Sequence, residues 1–205
     1  MEIEVKKYNL PDAHILTSSQ EFICSVWRPD KTYVILGRAN NVSTSLLINN
    51  IESDNVEVYK RPSGGETVIL SPNMIVYSAK MKFQKSTNTR DTFARINSVL
   101  IKHLSGLGIK NLGSKGISDI SIGIKKIAGS SMYLQKDVLF YHAVLNISED
   151  PSLIARYLKH PTKEPGYREG RSHEEFVTSL KSEGYNIEFE DLSNKITLAL
   201  KELDN

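Results

Sequence analysis

From Met74 to Phe83 the chain alternates. Ile75, Tyr77, Ala79, Met81 and Phe83 fall on one face of an extended segment, while Ser78, Lys80 and Lys82 fall on the other. A period of two sustained over this length is the mark of a half-buried β-strand. At Ser86 the period changes. Phe93, Ile96, Leu100 and Leu104 form an apolar stripe at helical spacing up to Leu107, a Ser/Thr/Asn cluster offers an N-cap, and Gly106 or Gly108 can end the helix.

The rest of the chain extends this strand-then-helix reading. Residues 31–38 and 56–60 are rich in β-branched and aromatic types and read as strands, as does Thr67-Val68-Ile69-Leu70. Residues 118–147 read as short strands broken at Gly123 and Gly129. Asp150-Pro151 opens a helix, with Asp as cap and Pro in the first turn, that runs to about Lys159 and stops before Pro161. Residues 161–171 are a loop rich in Pro, Gly and charge, after which Ser172 and Glu175 make a capping box. A terminal helix is expected over Lys195–Leu203, with Ile196, Leu198, Ala199 and Leu203 partly buried. Most strand connections are too short for regular parallel crossovers. The expected fold is therefore α+β (mixed α/β), a largely antiparallel sheet flanked by helices, in a single domain spanning residues 1–205.

Composition removes several classes of function. The formal net charge is only +2 and the Lys and Arg residues are spread along the chain, which argues against a nucleic-acid-binding stripe. The one cysteine, Cys24, excludes an intramolecular disulfide and a cysteine-rich metal site. No apolar run is long enough to cross a bilayer, and the N-terminus lacks a basic stretch followed by an apolar one. A soluble cytoplasmic protein with no membrane or nucleic-acid partner is expected.

The stretch richest in chemistry is Lys60-Arg61-Pro62-Ser63-Gly64-Gly65-Glu66. Adjacent glycines remove the Cβ atoms that hold a ligand off the backbone, so peptide N–H groups can approach an anion. Arg61 adds a planar fork of donors suited to phosphate or carboxylate. Taken alone, the segment reads either as a loop that receives an acidic ligand or as a hairpin turn with exposed basic residues.

Other segments add to it. Ile117-Ser118-Asp119 is followed by Lys125-Lys126-Ile127-Ala128-Gly129-Ser130-Ser131. Val34-Ile35-Leu36-Gly37-Arg38-Ala39-Asn40-Asn41, Trp27-Arg28-Pro29 and Tyr141-His142-Ala143-Val144-Leu145-Asn146 complete the set. Taken in chain order, over roughly residues 25 to 185, they resemble the lipoate-protein ligase A family within the biotin and lipoate ligase superfamily. Its signatures are Arg-Arg-x-Ser-Gly-Gly-Gly, Asn-Asp and Lys-Lys-(Ile/Val)-(Ser/Ala)-Gly-Ser-Ala. The resemblance implies a class II synthetase-like catalytic fold. It also implies ATP-dependent activation of lipoate or octanoate to an acyl-adenylate, with transfer to a lysine of a lipoyl-domain or H-type acceptor protein.

The resemblance distributes roles. Adjacent side chains of a strand point to opposite faces, so Lys125 and Lys126 cannot both enter one cleft, and the family pattern gives the catalytic place to Lys126. Arg61, Ser63, Gly64, Gly65, Glu66, Asp119, Gly129, Ser130 and His142 form the substrate- and adenylate-binding set. Asp119 is the expected Mg²⁺ ligand or, equally, a strand-edge aspartate. His142, on an apolar segment, reads as a hydrogen-bonded structural histidine rather than an acid–base group. Val34, Leu36, Val68, Ile75, Tyr77 and Ile127 are candidates to line an acyl tunnel.

The chain also departs from the family. Glu66 takes the place of the third glycine, Leu70 that of a histidine and Ala143 that of a glycine. The first helix is short, over Leu10 to Glu21. No C-terminal accessory domain is expected within 1–205, so a separate accessory subunit is a further expected partner. Two alternatives stay open: a binding module or split-ligase subunit, and an octanoyl or lipoyl transferase working through a thioester, for which Cys24 is the one thiol.

Overall fold

The computed structural model describes residues 3–83 and 88–204. The elements in chain order are β1 (Val5–Lys7), β2 (Ile23–Trp27), β3 (Tyr33–Leu36), α1 (Val42–Ser45), α2 (Ile48–Ser53), β4 (Glu57–Lys60), β5 (Val68–Leu70), β6 (Met74–Lys82), α3 (Thr89–Ser105), β7 (Leu112–Lys115), β8 (Asp119–Ile122), β9 (Lys125–Gln135), β10 (Val138–Asn146), α4 (Ser152–Tyr157), α5 (His173–Phe176) and α6 (Phe189–Glu202). Six strands form one antiparallel sheet in the order β2-β6-β10-β9-β8-β7, and four form a second in the order β1-β4-β3-β5. The expected mixed, largely antiparallel architecture is present. Its exceptions are the pairs β1–β4 and β4–β3, which run parallel. Twenty residues carrying α1 and α2 separate β3 from β4, enough chain for a parallel crossover.

The alternation at Met74–Lys82 places Ile75, Tyr77, Ala79 and Met81 in the main core, with Leu139, Tyr141, Ala143 and Leu145 of β10 beside them. The stripes of α3 (Ile96, Leu100, Leu104) and α6 (Leu192, Ile196, Ala199, Leu200) cover that face. The opposite face of β6 is not the solvated one the alternation suggests. Ser78 is fully buried, because β6 is central in the sheet and the N-terminal segment lies over it. The buried Asp12 carboxylate accepts hydrogen bonds from Ser78 and Tyr8 there. Burial pushes the Asp12 carboxyl above the usual carboxylate range, and those two donors oppose the shift.

The two sheets meet through Tyr33, Ile35 and Leu70 on one side and Trp27 and Val76 on the other. The outer face of the smaller sheet packs Val34, Leu36, Val58 and Ile69 against α2 and α4.

Several boundaries differ from those expected. Gly129 does not break a strand: β9 runs unbroken through it for 11 residues, held by β10 from Ala128 to Gln135. Gly123 does turn the chain, with φ +57°. α4 ends at Tyr157, and α6 begins at Phe189 rather than Lys195 without a side-chain cap to announce it. Leu198 is exposed, not partly buried. The capping box at Ser172 and Glu175 is formed, on a helix of a single turn. Leu10 to Glu21 contains only a 3-10 turn at Ala13–Leu16. α3 begins at Thr89, capped by Asn88, and the expected start at Ser86 lies outside the described residues. Among the described residues no helix is long and apolar enough to cross a membrane.

Candidate functional site

Between the sheets lies a cleft of about 640 Å³, within the range of small-ligand sites. One part of its wall is apolar, from Ile35, Leu70, Met74, Val76 and Val144, and the other is charged. Of the expected tunnel residues, Val68 and Ile127 line the cleft. Val34, Leu36, Ile75 and Tyr77 do not, for they point into the cores on the far side of each sheet. β3 is buried on both faces, so its sequence cannot say which face meets the cleft.

The Ser63–Glu66 loop is tied to three neighbours. Ser131 Oγ donates to the Gly64 carbonyl at 2.8 Å, which joins the loop to β9. Arg38 N–H donates to the Ser63 carbonyl at 2.9 Å. Gly37 lies so close that a Cβ there would sit 1.9 Å from the Gly65 carbonyl oxygen, so the close approach of these two turns requires glycine at 37. Gly65 itself has φ +83°.

Arg61 does not present an open fork. It is buried, and its donors reach the carbonyls of Ile35 (3.1 Å), Gly64 (2.7 Å) and Glu66 (2.8 Å) and the Ser63 hydroxyl (3.1 Å). It shapes the loop from within, and burial draws its guanidinium down to about 10, although Tyr8 and Glu66 pull the other way. The Glu66 carboxylate accepts from the Asn40 amide at 3.3 Å on the cleft wall.

Ser63 Oγ lies 2.5 Å from His142 Nε2. Burial, and then the charge of Arg61, lower His142 to about 3. His142 is therefore neutral in the fold at working pH and is paired with the Ser63 hydroxyl. In the unfolded chain it takes up a proton near pH 6.5. Its contribution to stability is complete above that pH and is lost as the pH falls toward 3, at about 1.4 kcal/mol per pH unit. Chemical denaturation at pH 7 and pH 5 should therefore show wild type losing about 2 kcal/mol more than His142→Gln over that interval. Equal losses in the two proteins would mean that His142 carries no such linkage.

Lys126 and Asp119 form the charged centre. Lys126 Nζ lies 2.7 Å from Asp119 Oδ1. Tyr167 donates to Asp119 Oδ2 at 2.8 Å. How Lys126 reaches this face follows from the register. Asp119 opposes Gly129 and Ile120 opposes Ala128, but Ser121 opposes Lys126, so the register shifts by one residue at Ile127. Paired residues share a face. Asp119 and Ser121 lie two apart on β8, so their partners Gly129 and Lys126 share a face despite being three apart. A regular strand would have put Lys125 there. The bulge therefore selects Lys126 and leaves Lys125 exposed. The freed Lys126 carbonyl accepts from Thr178 N–H at 2.9 Å as the chain returns beside β9.

Gly129 has a second use. A Cβ there would stand 2.7 Å from Lys126 Cε and Nζ, so the bare α-carbon is the room in which the ammonium lies. Ser130 Oγ donates to the Ser118 carbonyl, whereas Ser131 reaches the loop.

The cleft thus brings together Arg61, Gly65, Glu66, Asp119, Lys126, Gly129, Ser130 and His142 of the expected set, and Ser63 and Gly64 bond directly to residues that line it. The sequence leaves Asp119 open between a Mg²⁺ ligand and a strand-edge aspartate; in the fold its two oxygens are given to Lys126 and Tyr167, and among the described residues there is no group of three or more His, Cys, Asp or Glu placed to hold a metal.

Sequence reasoning missed Ser131, Arg168, Phe176 and the 159–166 wall, which line the cleft, and Tyr167, which does not line it but bonds Asp119. Arg168 is buried, stacks 4.9 Å above Phe176, and keeps one terminal nitrogen without a hydrogen-bond partner. Phe176 follows directly from the capping box that the sequence does announce. Tyr167 lies in a segment whose composition says only loop. Among the described residues, lining Lys and Arg (61, 90, 126, 159, 163, 168) number six against three carboxylates (Glu66, Asp119, Glu164), a balance suited to an anionic ligand.

Comparison with known proteins gives this site a context. The family model of the lipoyl protein ligase A/B catalytic domain matches residues 12–201. The chain is 29% identical over 198 residues to a lipoate-protein ligase A of Psychrobacter cryohalolentis, across 94% of this chain and 52% of that one. It thus spans about half the length of that curated relative. Its backbone superposes with a TM-score of 0.79 on an archaeal bi-partite lipoate protein ligase from Thermoplasma acidophilum, studied with its E2 lipoyl domain (16% identity, 98% of this chain, 83% of that one). A lipoate-protein ligase A bound with ATP gives 0.77 (16% identity, 98% and 83%). A Thermoplasma acidophilum protein with bound lipoic acid gives 0.73 (17% identity, 90% and 73%). At these identities the superpositions establish the fold.

Proposed function

The chain belongs to the lipoyl protein ligase A/B catalytic domain family, and from that membership we propose that it activates lipoate or octanoate with ATP and passes the acyl group to a lysine of a lipoyl-domain or H-type protein. The observation that carries this reading is the Lys126–Asp119 pair on one cleft with the Gly64–Gly65 loop and an apolar wall. The ATP-bound and lipoic-acid-bound relatives supply the substrate classes.

The acyl chain lies along Ile35, Leu70, Met74, Val76 and Val144, where each buried methylene contributes ~0.8 kcal/mol. Its carboxylate attacks the α-phosphorus of ATP, and the bond to pyrophosphate breaks. The Lys126 ammonium, with three donors and only one on Asp119, spans the carboxylate and the α-phosphate while negative charge gathers between them. The loop backbone approaches the phosphate where it is least hindered: a Cβ at Gly64 would meet nothing within 4 Å. In the second step the acceptor amine attacks the acyl carbon and AMP leaves with the electron pair of the broken C–O bond.

Thioester transfer is disfavoured by geometry. Cys24 is opposite Ala79 on β2 and packs with the core beneath α3 and α6, on the far face of the sheet from the cleft. Burial also pushes its thiol upward, although Lys201 opposes the shift.

Incubation of a lipoyl-domain acceptor with the protein, ATP, Mg²⁺ and lipoate should add one lipoyl group, read by intact mass. Modification only when lipoyl-adenylate is supplied would assign the activation step to an accessory subunit. No modification under either condition would leave a binding module, which calorimetry with lipoyl-adenylate would identify.

A further inference from the structure

Resting on that reading, we propose that Tyr167 is a positioning residue that sets the Lys126 ammonium through Asp119. Three elements distant in sequence converge on one carboxylate. Asp119 Oδ1 holds Lys126 Nζ at 2.7 Å, and Oδ2 accepts from Tyr167 OH at 2.8 Å. The Asp119 side chain is only 9% exposed. Water therefore gives it little, and its two protein partners divide its charge between them.

Tyr167 is well placed to be a fixed donor. Its ring packs 5.0 Å from Phe176. It also rests on the β7–β8 turn at Gly116, where a Cβ would come within 3.4 Å of the ring and 3.2 Å of Pro165. Gly116 has φ +58°, so the turn is shaped to leave that space.

The consequence concerns the lysine. With Tyr167 in place, one carboxylate oxygen is satisfied and Lys126 is held by a single contact, leaving its other donors for substrate oxygens. Without the hydroxyl, the second oxygen of this largely buried carboxylate loses its partner and draws the ammonium across both oxygens, away from the reacting groups. The segment that walls the cleft with residues 161–166 and Arg168 thus also sets, through Tyr167, the geometry of the catalytic charge.

Tyr167→Phe keeps the ring and removes only the donor. It should lower kcat for lipoyl-adenylate formation about ten-fold, the scale of one hydrogen bond to a charged group, with KM for the acceptor protein unchanged. In an Asp119→Asn background, Tyr167→Phe should have no further effect, since the path to Lys126 is already cut. An equal loss in both backgrounds would reduce Tyr167 to loop packing and overturn the assignment, as would a wild-type rate in the single variant. Competitive acetylation of Lys126 with trace acetic anhydride, read by mass spectrometry against Lys125, needs no turnover. Tyr167→Phe should slow Lys126 several-fold relative to Lys125 as the ion pair tightens, and an unchanged ratio counts against the proposal even where the ligase reading itself has failed.

Discussion

Lys126→Met is expected to lower lipoyl-adenylate formation by about 100-fold or more, the usual scale for removing one preorganised charge from a reacting centre. Lys125→Met should change it less than two-fold. The two residues are neighbours of identical chemistry, so the contrast tests geometry alone. It follows from the bulge at Ile127, which places Lys126 on the face of Asp119 and Gly129. Lys125 lies outside the cleft lining and is exposed. Met fills about the volume of the lysine stem, so packing is retained. Lys126→Met removes the ammonium from Asp119 and leaves it the Tyr167 hydroxyl; a pair whose lysine is 28% exposed contributes about 0–1 kcal/mol, and Lys125→Met should stay within about 0.5 kcal/mol. Pyrophosphate release with lipoate and ATP measures the first effect, and thermal melting the second. Comparable rates for the two variants would mean that Lys126 is not the catalytic cation.

Periodicity carries far in this chain, then stops at identifiable places. β6 and α3 can be read from one stretch of sequence because their apolar residues repeat at two and at helical spacing. β7 cannot. Leu112-Gly113-Ser114-Lys115 contains no β-branched residue, and it is a strand because β8 offers it an edge to pair with. α1 and α2 are a turn or two long, too short for a stripe to show. Val34 and Leu36, two of the six tunnel candidates, lie away from the cleft for a related reason. Along β3, Tyr33 and Ile35 face the cleft side while Val34 and Leu36 face α2 and α4, and all four are apolar.

The site shows the same limit. The residue types of the Lys125–Ser131 segment and of the double-glycine loop announce anion chemistry. Their joint placement is a long-range fact: Ser131 reaches Gly64 across 67 positions, and Tyr167 reaches Asp119 across 48. Local sequence carries no signal for either bond. The role of Arg61 also changes on folding. A guanidinium fork before two glycines suggests a ligand clamp, yet the loop turns its own carbonyls inward and occupies those donors. Buried donors without partners are costly, so an arginine enclosed by a tight loop is satisfied by that loop.

Gly129→Ala should separate stability from catalysis. Gly129 is in ordinary extended backbone, so alanine is conformationally allowed, and the restricted unfolded chain favours folding by about 0.4–1 kcal/mol. The new methyl collides with the end of Lys126, 2.7 Å away, and stands 3.5 Å from Asp119 Oδ1. That end is flexible and gives way, breaking the 2.7 Å ion pair. A pair whose lysine is 28% exposed contributes about 0–1 kcal/mol. The two effects nearly offset, and the melting temperature should stay within about 3 °C of wild type. Catalysis has no such compensation. An ammonium displaced by about 1 Å or more from the point where charge develops costs on the order of 100-fold in rate. Adenylate formation should therefore collapse in a protein that melts normally. Full activity in Gly129→Ala would show that the reacting groups do not depend on the position that the bare α-carbon gives to Lys126.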